Sequence, residues 1–315
     1  MKKIVAAVVV LLAVYGVTSF VVMNIALTPN RATCGAPTDD GVAATPLQFT
    51  SDDDDKIPLK GWLLTPATPT DKAVVLVHGL DSCGWRGSHI ELAKAYLAKG
   101  FTVVVFDLRG QGASGGDHLG LGWKERADVR AAVHVLLDHG FKPGHIGIHG
   151  TSFGAATALL STAAIPEVGA VVADSAFADV RDLMVQELDR KVHLGALFAP
   201  GVTLVARLRG FDLDVIAPIA AVPQIAPRPI FFLHGTADPR IPVEHANRLK
   251  AASKGPADEL WLLEGAGHTQ GLQMAHDEFL ARTTGFLASH LASADLASDP
   301  KTAPPAPPAA SPRPS

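Results

Sequence analysis

The chain has 315 residues, of which 48% are hydrophobic and 18% are charged, a composition that excludes a fibrous or wholly disordered protein and suffices for one large core. Its formal net charge is -4, and its 27 Lys and Arg residues are scattered rather than clustered. No basic stripe is available to neutralise a phosphate backbone, so we expect no nucleic acid partner.

A pair of lysines at positions 2 and 3 precedes an almost unbroken apolar run over residues 4–27. The run matches the ~20 residues that cross a bilayer as a helix and exceeds the core of a signal peptide, which has about 7 to 15 residues. We predict a transmembrane anchor over residues 1–28 that contacts the lipid bilayer through residues 4–27. The lysines favour a cytoplasmic N-terminus, which gives a single-pass cell-membrane protein with the rest of the chain extracytoplasmic. Secretion after cleavage of a signal is the alternative.

Residues 29–44 are predicted to form a juxtamembrane linker. They include Cys34, one of two cysteines in the chain, and Cys83 follows in a loop. An extracytoplasmic location permits a disulfide between them. Because the sequence does not give the separation of their Cα atoms, a disulfide and two free thiols both stay open.

Residues 45–292 alternate short β-branched runs with helical stretches, the pattern of a mostly parallel sheet with helices on both faces. We predict one α/β domain with about eight strands. The predicted strands are Leu47 to Thr50, Leu59 to Leu64, Ala73 to Val77, Thr102 to Phe106, His145 to His149, Gly169 to Ala173, Pro229 to Leu233 and Glu259 to Leu263. The predicted helices are Ile90 to Leu97, Trp123 to Leu137, Ala155 to Ala163, Val243 to Ala252 and Met274 to Ser289.

The segment at residues 177–228 interrupts this alternation between two strands. Ligands of open α/β sheets bind at the carboxyl ends of the strands, so we predict that the segment is a small cap at that edge. Its apolar stretch, Leu194 to Leu208, fits a lid over the substrate or one core helix followed by a loop. Beyond the domain, the composition of residues 293–315, rich in Pro and Ala, predicts a disordered or polyproline-like tail.

The motif G-x-S-x-G occurs directly after a predicted strand, as Gly150-Thr151-Ser152-Phe153-Gly154, and a small-residue helix follows it. In this setting the turn strains the backbone of the serine, and side chains two residues away would collide, which explains the glycines. The pattern predicts Ser152 as a nucleophile exposed at the top of the sheet.

The same motif occurs a second time, as Gly112-Ala113-Ser114-Gly115-Gly116. This copy lies in a glycine-rich loop with no helix directly after it, so Ser114 lacks the strand-to-helix setting. We interpret Ser114 as a loop residue.

A serine hydroxyl needs a base to take its proton, and that base needs a carboxylate to hold its tautomer. Asp238 follows the penultimate strand, and His268 lies in a glycine-rich loop after the last strand. The order serine, acid, histidine is the one expected for this arrangement. Asp174, at the end of another strand, is the alternative acid, and His149 is interpreted as structural.

The turn His78-Gly79-Leu80 follows a central strand and supplies a backbone donor. The amides of Leu80 and Phe153 are predicted to form an oxyanion hole, in which each donor contributes about a hundredfold or more in rate. His78 is predicted to brace the turn rather than to react.

With these motifs the chain resembles the α/β-hydrolase superfamily over about residues 45–292, in the branch of serine-aminopeptidase-like and prolyl-oligopeptidase-like hydrolases. The segments that carry the resemblance are Val77-His78-Gly79, Phe106-Asp107-Leu108-Arg109-Gly110-Gln111-Gly112, the Ser152 turn, Asp174-Ser175, His234-Gly235-Thr236-Ala237-Asp238 and Gly265-Ala266-Gly267-His268. The resemblance implies the α/β-hydrolase fold and hydrolysis of esters, thioesters, amides or short peptides. It dictates no cofactor and no metal. The chain lacks the propeller domain of true prolyl oligopeptidases, which weakens a peptidase reading.

The sequence therefore predicts a serine hydrolase that acts on a small-molecule acyl substrate, with a carboxylic ester favoured. An aminopeptidase or amidase is the alternative within enzymes, and would need acidic groups near the pocket to bind a substrate amine. A non-catalytic binding module on the same fold is the alternative outside them.

Overall fold

The structure is a computed structural model that describes residues 1–193 and 195–292. The predicted Pro- and Ala-rich tail at 293–315 lies outside the described residues.

An eight-stranded sheet forms the centre of the domain, in the order β1-β2-β4-β3-β5-β6-β7-β8. Strand β2 runs antiparallel to β1 and β4, and the remaining pairs are parallel. The predicted sheet of about eight mostly parallel strands is confirmed. The strands are β1 (Thr45–Thr50), β2 (Pro58–Leu64), β3 (Ala73–Val77), β4 (Thr102–Phe106), β5 (Ile146–Thr151), β6 (Val168–Asp174), β7 (Ile230–Gly235) and β8 (Glu259–Leu263).

Helices cover both faces of the sheet because its central strands are apolar on both sides. In β3, Val75 and Val77 enter the core that contains α3 and α4, whereas Val74 and Leu76 enter the core that contains α2 and α10. The helices are α1 (Lys2–Leu27), α2 (Ser88–Ala98), α3 (Glu125–Asp138), α4 (Phe153–Ala164), α5 (Val180–Val192), α6 (Gly195–Leu208), α7 (Pro218–Ala221), α8 (Glu244–Ala252), α9 (Gly271–Met274) and α10 (His276–His290).

The insertion between β6 and β7 contains two longer helices, α5 and α6, and the short α7. Residues 195–208 of the apolar stretch, predicted as a lid or a core helix, form α6. Helix α5 was not predicted, because charged residues are interspersed among its apolar positions and leave no clear hydrophobic pattern in the sequence. Its side chains Leu183 and Met184 are partly buried against the core.

Helix α1 is long and apolar enough to cross a membrane, with 26 residues and a mean hydropathy of 2.6 in its most apolar window. Its last turns nevertheless belong to the domain, because Ser19, Met23 and Leu27 are buried at a spacing of four residues. The Tyr15 hydroxyl accepts from the Gly201 amide of α6 at 2.9 Å, and its ring stacks on Phe198. In the same turns Phe20, Val21 and Ile25 stay 46 to 68% exposed, so α1 contacts the domain along one face and leaves another apolar face uncovered.

A disulfide joins Cys34 to Cys83, with a Cα separation of 6.3 Å. The sequence left this pairing open. The bond ties the segment that follows α1 to the loop after β3, next to the predicted oxyanion-hole turn.

Candidate active site

Ser152 lies between β5 and α4 with φ 56° and ψ -119°, a positive φ that residues other than glycine rarely adopt. The flanking glycines permit this turn. A Cβ atom at Gly150 would collide with the carbonyl of Gly154, and one at Gly154 would collide with the carbonyl of Val77. The strained backbone of Ser152 is therefore part of a turn that presents its side chain at the carboxyl end of the sheet.

The three side chains that the sequence singled out form one chain of hydrogen bonds. Ser152 Oγ lies 2.8 Å from His268 Nε2, and His268 Nδ1 lies 2.7 Å from Asp238 Oδ2. The loops after β5, β7 and β8 supply these residues, and parallel strands bring the three loops to the same edge of the sheet. The His268 tautomer that carries its proton on Nδ1 donates to Asp238 and leaves Nε2 free to accept from Ser152.

The Asp238 carboxylate is buried and held in place by its own loop. The backbone amides of Arg240 and Ile241 donate to Oδ1 at 2.8 and 2.9 Å, and His234 Nε2 lies 3.4 Å from Oδ2. Burial acts to raise the pKa of Asp238, but the interactions with His234, His268 and the Ile241 amide outweigh burial and hold the pKa well below its usual range. The carboxylate is consequently ionised at neutral pH beside His268.

Asp174, the alternative acid, occupies a different environment. Its side chain is buried and accepts from Ser175 Oγ at 2.9 Å, whereas the Nδ1 of His268 bonds to Asp238. Burial raises the pKa of Asp174 to about 6, although the Ser175 hydrogen bond opposes that rise. The structure therefore brings Asp238, and not Asp174, into contact with the imidazole.

Ser114, the serine of the second motif, is only 2% exposed and is used by the fold. Its Oγ donates to the carbonyl of Asp107 at 2.5 Å and accepts from the amide of Lys60 in β2 at 3.0 Å. The hydroxyl thus donates one hydrogen bond and accepts another, both with backbone groups, and Ser114 ties the glycine-rich loop to β2.

The two other histidines considered from the sequence are buried in the core. His78 Nδ1 lies 2.8 Å from the carbonyl of Gly79, and its Nε2 accepts from the Leu108 amide at 3.0 Å. His149 pairs with the Tyr96 hydroxyl, and burial lowers its pKa to about 3. Each histidine is neutral at pH 7 and braces neighbouring backbone or side chains.

The turn at Gly79 brings Leu80 next to Ser152. A Cβ atom at Gly79 would lie 4.0 Å from Ser152 Oγ, and Leu80 lines the same cavity as Ser152. The amide of Phe153 is the first of α4, a position whose amide has no partner within the helix. Among the described residues, neither the Leu80 nor the Phe153 amide donates a hydrogen bond, so both are available to a ligand.

A cavity of about 590 Å³ opens in front of Ser152 and His268, within the range of ligand pockets. Two carboxylates, Asp81 and Glu187, line it, as does Arg240. The sequence did not identify these acidic groups, because they lie on distant segments. The apolar residues of the wall are Val22, Ile25, Ala26, Leu80, Leu119, Leu121, Phe153, Phe177, Val180, Leu183, Met184, Leu188 and Ile241.

Comparisons with known proteins agree with this architecture. Residues 40–193 match the family model described as X-Pro dipeptidyl-peptidase (S15 family). The Bacillus subtilis protein YqkD is 29% identical over 214 residues, which cover 67% of this chain and 68% of YqkD.

Two solved structures illustrate the structural similarity. The esterase Pf2001 of Pyrococcus furiosus superposes with a TM-score of 0.70 at 26% identity, covering 84% of this chain and 98% of its own. The alpha/beta hydrolase GrgF of a Penicillium species superposes with a TM-score of 0.63 at 20% identity, covering 79% of this chain and 99% of its own. At this identity the similarity bears on the fold alone.

Proposed function

We propose that this chain, a member of the α/β-hydrolase superfamily, is a serine hydrolase that cleaves carboxylic esters through an acyl-enzyme intermediate. The observation that carries the proposal is the continuous hydrogen-bonded arrangement of Ser152, His268 and Asp238 at 2.8 and 2.7 Å. Ser152 is the nucleophile, His268 the general base and Asp238 the carboxylate that orients the imidazole.

Acylation begins when His268 Nε2 takes the proton of Ser152 Oγ and the oxygen attacks the ester carbonyl carbon. The ionised Asp238 stabilises the imidazolium that results. The carbonyl oxygen becomes an oxyanion, which accepts hydrogen bonds from the amides of Leu80 and Phe153. The intermediate then collapses, the carbon–oxygen bond of the leaving alcohol breaks, and the alcohol oxygen takes the proton from His268 Nε2.

Deacylation repeats these steps with water. His268 removes a proton from a water molecule, whose oxygen attacks the acyl carbon and forms a second oxyanion at the same two amides. Collapse releases the carboxylic acid, and Ser152 Oγ recovers its proton from His268. The protein's own residues supply each proton transfer.

A second candidate is an aminopeptidase or amidase acting on small peptides. Two observations favour it: residues 40–193 match a peptidase family model, and Asp81 lines the cavity where its carboxylate could attract a substrate amine. Glu187 lines the same cavity but already pairs with Arg190 at 2.7 Å. The ester reading is preferred because the wall of the cavity is mainly apolar and because the Pf2001 structure, which is similar over 84% of this chain, is that of an esterase.

For location, the proposal is a single-pass membrane protein with α1 as its anchor and the catalytic domain outside the cytoplasm. The lysines at positions 2 and 3 support this orientation, and the disulfide between Cys34 and Cys83 suits an oxidising compartment. Full-length protein should stay with membranes during a carbonate wash. A shorter soluble product would favour the cleaved-signal alternative.

Fluorophosphonate labelling of the full-length protein in detergent tests the catalytic proposal. Wild type and the Ser114→Ala variant should label, whereas Ser152→Ala should not. Failure of the wild type to label would favour the non-catalytic binding module, and equal labelling of Ser152→Ala would refute the assignment of the nucleophile. Parallel assays with p-nitrophenyl esters and aminoacyl p-nitroanilides rank the two enzyme candidates, and faster turnover of the anilides would reverse the ranking.

A further inference from the structure

One face of the last turns of α1 lines the cavity in front of Ser152. Val22, Ile25 and Ala26 belong to this face, and Thr28 and Asn30 continue the wall beyond the helix. Ile25 keeps 68% of its surface exposed while lining the cavity, so the cavity is open to the outside next to α1. The helix that is apolar enough to cross a membrane therefore also borders the catalytic site.

This part of the wall is fixed to the domain at several points. The Leu27 carbonyl accepts from the Leu119 amide at 2.9 Å, and Met23 is fully buried in the core. The Arg31 guanidinium donates to three carbonyls of the loop Gly112–Gly116 at 2.5 to 3.2 Å. Together with the disulfide of Cys34, these contacts hold the end of α1 in a defined position beside the site.

The cap helix α5 contributes a further apolar part of the same wall, through Val180, Leu183, Met184 and Leu188. Together, α5 and α1 give the cavity a larger apolar surface than a short acyl group such as acetyl can cover. An alkyl chain that leaves water for such a surface binds about fourfold more tightly for each methylene buried. The cavity is thus suited to a chain of many methylenes.

We propose that the ester substrate carries a long acyl chain, which lies against Val22, Ile25 and Ala26 of α1 and reaches Ser152 from the apolar surface that α1 presents to the bilayer. This inference rests on the proposed function, because it names the substrate class of the Ser152 site. In this arrangement α1 determines chain-length specificity as well as location.

The test compares full-length wild type with two tryptophan variants in one detergent at one concentration, using p-nitrophenyl acetate, octanoate and dodecanoate. For wild type, kcat/KM should be at least tenfold higher for octanoate and dodecanoate than for acetate. In Ile25→Trp the indole occupies the part of the cavity where the long acyl chain would lie. The ratio of kcat/KM for dodecanoate to kcat/KM for acetate should therefore fall tenfold or more. Val17→Trp is the matched control, because Val17 is an aliphatic residue of the same helix with a similar exposure of 63% but is not among the residues that line the cavity. Its ratio should equal that of wild type.

A second measurement guards against misfolding of Ile25→Trp. The rate of labelling by a fluorophosphonate with a dodecyl chain should exceed the rate with an ethyl chain in wild type, and Ile25→Trp should lose this preference while still reacting. Wild type that labels and hydrolyses acetate but shows no preference for longer chains would overturn the inference and leave the proposed function intact. Absence of labelling by either probe would instead refute the proposed function.

Discussion

His268 Nδ1 lies 2.7 Å from Asp238 Oδ2, whereas the equally buried Asp174 bonds to Ser175. Two carboxylates thus stand near one imidazole, but a single one holds its tautomer. Because Asp238 also receives two backbone amides, its position does not depend on His268. The difference between the two acids can be measured directly.

Asp238→Asn is expected to lower kcat for a p-nitrophenyl ester by about 10³- to 10⁴-fold, since the amide favours the wrong tautomer of His268. Asp174→Asn is the matched control, with the same chemical change on a neighbouring strand end, and should keep kcat within about tenfold of wild type. Steady-state kinetics of the two purified full-length variants give the comparison. A larger loss in Asp174→Asn than in Asp238→Asn would assign the acid to Asp174.

Ser114→Ala should affect stability and not labelling. The substitution leaves the Lys60 amide without its side-chain acceptor, which we expect to cost about 1 to 3 kcal/mol in the free energy of unfolding. Urea unfolding gives the stability, and fluorophosphonate labelling under native conditions gives the reactivity. Loss of labelling in a folded Ser114→Ala protein would contradict the structural role of Ser114.

The strands and the order of the site residues could be predicted from the sequence because both depend on local patterns. Runs such as Val74-Val75-Leu76-Val77 are apolar on both faces wherever they occur, and G-x-S-x-G between a strand and a helix needs only neighbouring residues. These patterns predicted the eight strands and the loops that carry Ser152, Asp238 and His268. The catalytic roles of these three residues stay predictions.

Features that depend on contacts between distant segments could not be predicted. Nothing local in the run Asp52-Asp53-Asp54-Asp55 identifies a partner, yet Asp53 and Asp55 pair with the buried Arg109 at 2.7 and 3.3 Å. Helix α1 is apolar on all sides, so nothing in its sequence separates the residues that border the cavity from those that do not. The Cys34–Cys83 pairing likewise follows from the folded position of two loops.

The disulfide is expected to stabilise the folded chain. Cys34 and Cys83 are separated by 49 residues, and a loop of this size contributes about 2 to 4 kcal/mol through the unfolded state. Cys34→Ala combined with Cys83→Ala should therefore lower the free energy of urea unfolding by that amount. Reductant should destabilise wild type to a similar degree and leave the double variant unchanged. Alkylation of both cysteines in unreduced, denatured wild type would show that the bond does not form.

Asp174 is expected to make the stability of the fold depend on pH. Burial raises its pKa to about 6, against about 3.9 in an unfolded chain. Between these values the folded protein holds a proton that the unfolded chain has released, so the free energy of unfolding falls as pH rises through this window and levels off above it. The decrease amounts to about 2 to 3 kcal/mol for a shift of this size.

Asp174→Asn cannot titrate and should lack this decrease. The free energy of unfolding of wild type minus that of Asp174→Asn should consequently fall by about 2 to 3 kcal/mol between pH 4 and pH 7. Urea unfolding followed by tryptophan fluorescence, at fixed detergent and ionic strength, gives both values at each pH. Asp117→Asn, which replaces an exposed carboxylate, controls for the change of Asp to Asn. A difference between wild type and Asp174→Asn that stays constant, or that grows with pH, would mean that the Asp174 carboxyl is ionised in the folded protein at least as readily as in the unfolded chain.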